Sequence, residues 1–124
     1  MSQDIVADAL NVIMNAKKAR KREISIKRYS NFLVKVLEIA KKSGYIESYE
    51  LKEKRLNIKI GSLNECMAIK PRFYVKIGEI EKYIRRFLPA RNFGIIIIST
   101  SLGLLTHEEA HEKNIGGSLV AYFY

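Results

Sequence analysis

Ile95-Ile96-Ile97-Ile98-Ser99-Thr100-Ser101-Leu102-Gly103 is the stretch whose reading decides the architecture. Four consecutive isoleucines have no helical period, and β-branched side chains pack well on a pleated surface. The run therefore reads as a strand buried on both faces. A buried strand that ends in three hydroxyls and a glycine presents donors and acceptors on a rigid platform. Short hydroxyl side chains lose little entropy when fixed and pair with almost any polar edge, which is the chemistry of a recognition loop. Gly103, and Gly116-Gly117 further on, permit backbone conformations or close approaches that a Cβ would block. Between them Thr106 opens a short helix, with Glu109 three residues on completing a capping box, and the helix closes at Asn114. A last strand alternates Leu119, Ala121 and Phe123 against Val120, Tyr122 and Tyr124; the two tyrosines read as packing residues.

Upstream, residues 3–16 form a helix with Val6, Ala9, Leu10 and Ile13 on one face and Ser2 as its cap. Residues 17–22 read as a basic loop, and residues 23–28 as a strand with Ile24 and Ile26 inward. Ser30 caps a second helix carrying Phe32, Leu33, Val36, Leu37 and Ala40, which stops at Ser43-Gly44. Strands at 45–51 and 55–60 complete an αβαββ unit, with a junction at Gly61-Ser62-Leu63-Asn64. Residues 67–75 are extended apart from Pro71, which belongs at an edge or bend. Residues 78–88 carry Ile80, Tyr83, Ile84 and Phe87 at helical spacing. The expected class is α+β with two small subdomains. The first, at 1–62, is αβαββ; the second, at 63–124, is mainly β with short helices and holds the hydroxyl loop.

Charge separates the two kinds of surface. The net charge of +9 in 124 residues is concentrated in residues 17–28, which carry +6, and residues 66–92, which carry +5. Residues 93–124, which include the hydroxyl loop, carry −2. Two basic blocks are the usual electrostatic footprint of a phosphate-backbone partner. Lys17 and Lys18 in the first and Arg72 in the second are candidate phosphate contacts. Tyr74, between Arg72 and Lys76, is a candidate for stacking on a base or for packing in the core, since Phe73 and Tyr74 face opposite ways on a strand. The hydroxyl loop lies in an acidic block, so its contribution must come from hydrogen-bond geometry rather than charge.

A length of 124 residues suits one ordinary domain and is short for an enzyme with a deep cleft. No apolar run approaches the ~20 residues that span a bilayer. The N-terminal residues lack the layout of a signal peptide, so a soluble, intracellular protein is expected. The single cysteine, Cys66, reads as a small core residue. His107-Glu108-Glu109-Ala110-His111 fits H-E-x-x-H, the zinc-hydrolase pattern. A third ligand is missing downstream, where Glu112 is the only His, Cys, Asp or Glu after His111. The helix is therefore read as a solvated polar face, with no metal, no cofactor, no small-molecule substrate and no enzymatic activity. A zinc hydrolase and a basic protein-interaction module stand as the alternatives.

The whole chain resembles, in order, the universal small-subunit ribosomal protein eight family, in its archaeal and eukaryotic branch. The carrying motifs are Ser99-Thr100-Ser101-x-Gly103 after the apolar strand, the Thr106-His107-x-x-Ala110 helix, Gly116-Gly117 and the aromatic C-terminal strand. Ala68-Ile69-Lys70-Pro71-Arg72-Phe73, residues 87–94, and the spacing of Asp4, Ala7, Asp8, Leu10, Ile13 and Asn15 agree. The resemblance implies a cytoplasmic constituent of the small ribosomal subunit that binds the central domain of small-subunit ribosomal RNA early in assembly, beside other small-subunit proteins. Some relatives also bind their own messenger RNA. It further implies RNA contacts at Ser99, Thr100, Ser101, Gly103, Gly116 and Gly117, and contacts to a second RNA helix at Asn15, Lys17, Ser30 and Asn31. Asn15 and Ser30 have helix-end capping as a second explanation. Ser118 stands where other members carry a charged residue, and the connection between the second and third strands is short.

Overall fold

The structure is a computed structural model describing residues 5–69, 74–90 and 93–124. Two compact units divide between Met67 and Ala68. The division lies beyond the glycine junction at 61–64 because Leu63 and Cys66 are buried in the first unit's interior.

In the first unit, α1 (Ile5–Lys18) buries Val6, Ala7, Ala9, Leu10, Ile13 and Ala16, an apolar stripe at helical spacing. It runs through Lys17 and Lys18 into residues expected to be loop. Both are good helix formers, and cations in a last turn complement the negative end of the helix dipole. The expected cap at Ser2 lies outside the described residues. β1 (Glu23–Ile26) is an edge strand on which Ile24 and Ile26 are half-buried rather than fully inward. α2 (Asn31–Lys42) starts where the Ser30 hydroxyl accepts the Leu33 N–H at 3.2 Å. It ends at Ser43, followed by Gly44 at φ +86°. Its fully buried Leu33, Val36 and Leu37 are each worth roughly 1.5–3 kcal/mol of apolar burial.

β2 (Ile46–Lys52) and β3 (Arg55–Ile60) form a hairpin, and the antiparallel sheet runs β1-β3-β2. The two residues between paired Lys52 and Arg55 are Glu53 and Lys54, at φ +53° and +61°. That is the backbone of a tight two-residue turn, normally given to Asn and Gly. Leu56, Ile58 and Ile60 alternate inward as expected. Cys66 is a core residue: its Sγ–H donates to the Leu10 carbonyl at 3.8 Å, and its N–H meets Met14 Sδ at 3.3 Å. Burial, with a smaller contribution from Glu65, pushes its thiol up to about 12.

The second unit is built on β5 (Tyr74–Val75), β6 (Ile95–Thr100), β7 (Gly103–Thr106) and β8 (Gly117–Phe123), and β4 (Cys66–Ala68) spans the division between the units. The sheet order is β4-β8-β6-β7, with β5 pairing the start of β8. Ile95 to Ile98 are all buried, as a strand covered on both faces requires. Ile96 and Ile98 join a core with Val75, Leu119 and Tyr122 from the sheet, Ile80 and Ile84 from α3 (Ile80–Phe87), and Ala110 from α4 (His107–Glu112). Both helices thus pack on one face of the sheet. A 3-10 turn at Ile77–Glu79 leads into α3. The capping box on α4 is complete: Glu109 N–H donates to the Thr106 hydroxyl, and Thr106 N–H donates to the Glu109 carboxylate. Tyr122 is buried, with its ring 5.4 Å from Phe87 and 6.0 Å from Tyr124, consistent with packing.

The expected hydroxyl loop is not a loop. Ser99 and Thr100 are the last residues of β6, and Ser101-Leu102 is a two-residue turn into β7, a strand the sequence reading did not separate from the helix after it. The reason is register: Thr100 pairs Gly103, and Ile97 pairs Thr106, so the ladder continues almost to the tip.

Candidate nucleic-acid interface

The β6–β7 tip is held by its own threonine. Thr100 Oγ1 donates to the Gly103 carbonyl at 2.8 Å and accepts the Leu102 N–H at 3.1 Å. Its hydroxyl proton is therefore committed inside the turn, and its role is to set the shape of the tip. Among the described residues, no side chain or backbone group partners the hydroxyls of Ser99 and Ser101. Gly103 sits at φ +108° with open space where a Cβ would stand, so it is a glycine for its dihedral and not for room inside the protein. Leu102 is 64% exposed at the apex.

The sheet assembles what the sequence scatters. Tyr74 on β5 pairs Ser118 on β8, Ser118 pairs Ser99 on β6, and Ser99 pairs Leu104 on β7. Directly opposed residues on antiparallel strands project to one face, so these four form a single row. Tyr74 is 67% exposed, and Ser118, Ser99 and Leu104 are half-buried. Since Tyr74 alternates with buried Val75, its ring lies on the face away from α3 and α4. The tyrosine is thus an exposed aromatic and not a core residue. Ser118 is not among the candidate contacts the sequence offers, and only the pairing register brings it beside Tyr74 and Ser99. Gly116 and Gly117 have a packing role: a Cβ on Gly116 would strike the Val75 carbonyl, and one on Gly117 the Ser99 carbonyl. They let β5 and β6 close on β8 and so hold the row together. Arg72 lies outside the described residues.

The first unit carries its own basic groove, of about 610 Å³. Lys17, Arg20, Lys21, Arg22 and Lys41 line it, and among the described residues Glu47 is the one acidic group there. Three backbone bonds converge its walls: Ile60 N–H to the Arg22 carbonyl at 2.7 Å, Tyr45 N–H to Ala40 at 3.0 Å, and Ser62 N–H to Gly44 at 3.0 Å. Lys41, from the end of α2, is a cation the sequence reading did not single out; its charge-block signal was diluted by neighbouring glutamates. Lys18 is exposed at the end of α1 but does not line the groove. Asn15 is exposed one turn before the helix end, so capping does not explain it, whereas Ser30 is a true cap beside exposed Asn31.

The two histidines of the H-E-x-x-H match are placed differently. His107 is only 4% exposed, and its Nδ1 accepts the Ile96 N–H at 3.1 Å. The neutral ring then carries its proton on Nε2 and has no second lone pair for zinc. Burial holds its pKa below the usual histidine value, partly offset by Glu108. His111 is exposed. Among the described residues no three His, Cys, Asp or Glu groups converge on a metal position.

Comparison with known proteins agrees along the whole chain. The family model described as ribosomal protein S8 matches residues 4–124. Small ribosomal subunit protein uS8 of Nanoarchaeum equitans is 45% identical, with 100% of both chains covered. That of Kluyveromyces marxianus is 42% identical over 97% of this chain and 96% of its own. Protein uS8A of Saccharomyces cerevisiae is 43% identical at the same coverage.

Proposed function

The chain belongs to the ribosomal protein S8 family, and from that premise we propose how its two surfaces serve the small ribosomal subunit. It is a structural, non-catalytic constituent of that subunit, working in the cytoplasm beside small-subunit ribosomal RNA and other ribosomal proteins. It binds the central domain of that RNA directly and early in assembly.

Affinity and selectivity come from different residues. The groove of Lys17, Arg20, Lys21, Arg22 and Lys41 holds phosphates, releasing counterions whatever the sequence. Lys18 and Asn15 extend that surface from the end of α1, Asn31 offers a separate polar contact at the start of α2, and Arg72 adds charge from the second basic block. The row of Tyr74, Ser118 and Ser99, continued by Ser101 at the tip, reads shape and base edges of an irregular RNA helix, since plain A-form duplex hides its major-groove edges. Thr100, Gly103, Gly116 and Gly117 shape that platform. A messenger RNA presenting the same irregular helix would be bound by the same row, which is how autoregulation would arise.

The observation that carries this reading is the assembly of one exposed aromatic and two serine hydroxyls along one row of the sheet. Hydroxyl-radical footprinting of small-subunit ribosomal RNA with the purified chain tests it. Protection confined to one helical region of the central domain is expected. Protection absent, or spread evenly over the RNA, would refute the proposal.

A further inference from the structure

The other face of the second unit's sheet carries a site of opposite character. Between α3, the 3-10 turn before it and α4 lies a groove of about 430 Å³. Its accessible apolar wall is half-buried Ile77, lying over the core residues Ile80 and Ile84, and its rim is Glu81, Glu108 and Glu112 with exposed His111. Among the described residues no lysine or arginine lines it. In a chain of net charge +9, such a place repels phosphate and is unsuited to RNA.

His107 adds a feature of its own. The ring is 96% buried, its Nδ1 is used by the Ile96 N–H, and its proton is therefore on Nε2. No buried side-chain nitrogen or oxygen among the described residues lacks a partner. The Nε2–H, which none of them accepts, therefore opens into the groove that His107 lines. A fixed donor at the floor wants a carbonyl oxygen. The carboxylates of Glu108 and Glu112 want a cation, and the isoleucine wall wants an apolar side chain.

We propose that the α3–α4 groove is a docking site for an extended peptide segment of a neighbouring protein, bearing arginine or lysine beside apolar residues. A backbone carbonyl of the segment accepts from His107 Nε2–H, its apolar side chain packs on half-buried Ile77, and its cation meets Glu108 and Glu112. The groove lies across the sheet from the Tyr74–Ser118–Ser99 row, so both faces can be occupied at once.

The test uses the purified chain and a terminally blocked peptide of alternating arginine and leucine, followed by NMR. Saturable binding with a Kd below about 1 mM is expected, with shifts centred on the His107 ring and the α4 amides. The double substitution Glu108→Gln, Glu112→Gln should weaken it about tenfold, as two rim ion pairs would, and a glutamate–leucine peptide should leave the His107 ring and the α4 amides unshifted. No saturation, equal binding by the double variant, or shifts away from His107 would overturn the proposal. Ribosomal RNA binding measured on the same samples keeps the two readings separate: it should be unchanged by the double substitution, and its loss in the parent chain would refute the RNA reading alone.

Discussion

Thr100 and Ser101 are adjacent hydroxyls with different work, and replacing each in turn separates shape from contact. Thr100→Val keeps the β-branched outline but removes both bonds that Oγ1 makes, to the Gly103 carbonyl and from the Leu102 N–H. Each is worth roughly 0.5–1.5 kcal/mol net, and partial exposure at the tip places them toward the low end, so a stability loss of about 1–2 kcal/mol is expected. Ser101→Ala removes an exposed hydroxyl with no partner among the described residues, so stability should move by less than about 0.5 kcal/mol. In complex with RNA that hydroxyl's partner would be left buried and unsatisfied, a loss of about 1–3 kcal/mol, or roughly five- to a hundred-and-fifty-fold in Kd. The assays are urea denaturation of each variant and calorimetric titration against the cognate ribosomal RNA helix and a scrambled duplex. Ser101→Ala should weaken only the cognate complex and leave the salt dependence of binding untouched, because no charge changes. Equal losses on both RNAs, or unaltered stability in Thr100→Val, would refute this division of labour.

Three further outcomes are expected. Lys17→Ala and Lys21→Ala should each weaken RNA binding similarly across sequences and reduce the slope of log affinity against log salt by about one or less; salt-independent binding by the parent would contradict a phosphate groove. His107 has its folded pKa held below the unfolded value of 6.5, so its contribution to stability is complete above that pH and is lost as pH falls through the folded pKa. Denaturation midpoints should drop between pH 7.5 and 5 in the parent and drop less in His107→Asn, whose amide oxygen can still accept the Ile96 N–H; parallel curves would exclude His107 as the cause. Lys54→Gly should raise stability by about 1 kcal/mol, because a left-handed residue with a Cβ carries that cost, with RNA binding unchanged; an unchanged or lower midpoint would count against strain in the turn.

Periodicity and local chemistry determined a large part of this molecule without tertiary information. The isoleucine strand, the Ser30 cap, the Thr106–Glu109 capping box and the inward Leu56, Ile58 and Ile60 are all consequences of near neighbours in the chain, and they stand as read. So do the α+β class and the buried, inert Cys66. The hydroxyl stretch is a strand end and a tight turn where the sequence suggests a loop, because whether it loops or pairs depends on how well Gly103–Thr106 fits beside β6. What only the fold decided is which residues meet. Tyr74, Ser99 and Ser118 are far apart in sequence and become one row through strand register. Lys41 joins Lys17 and Lys21 because α1 and α2 end at the same groove. The Gly116-Gly117 pair, conspicuous in the sequence, proves necessary for strand approach. A sequence reports its own local free energies; register and convergence are set by packing between distant segments, and no window along the chain contains them.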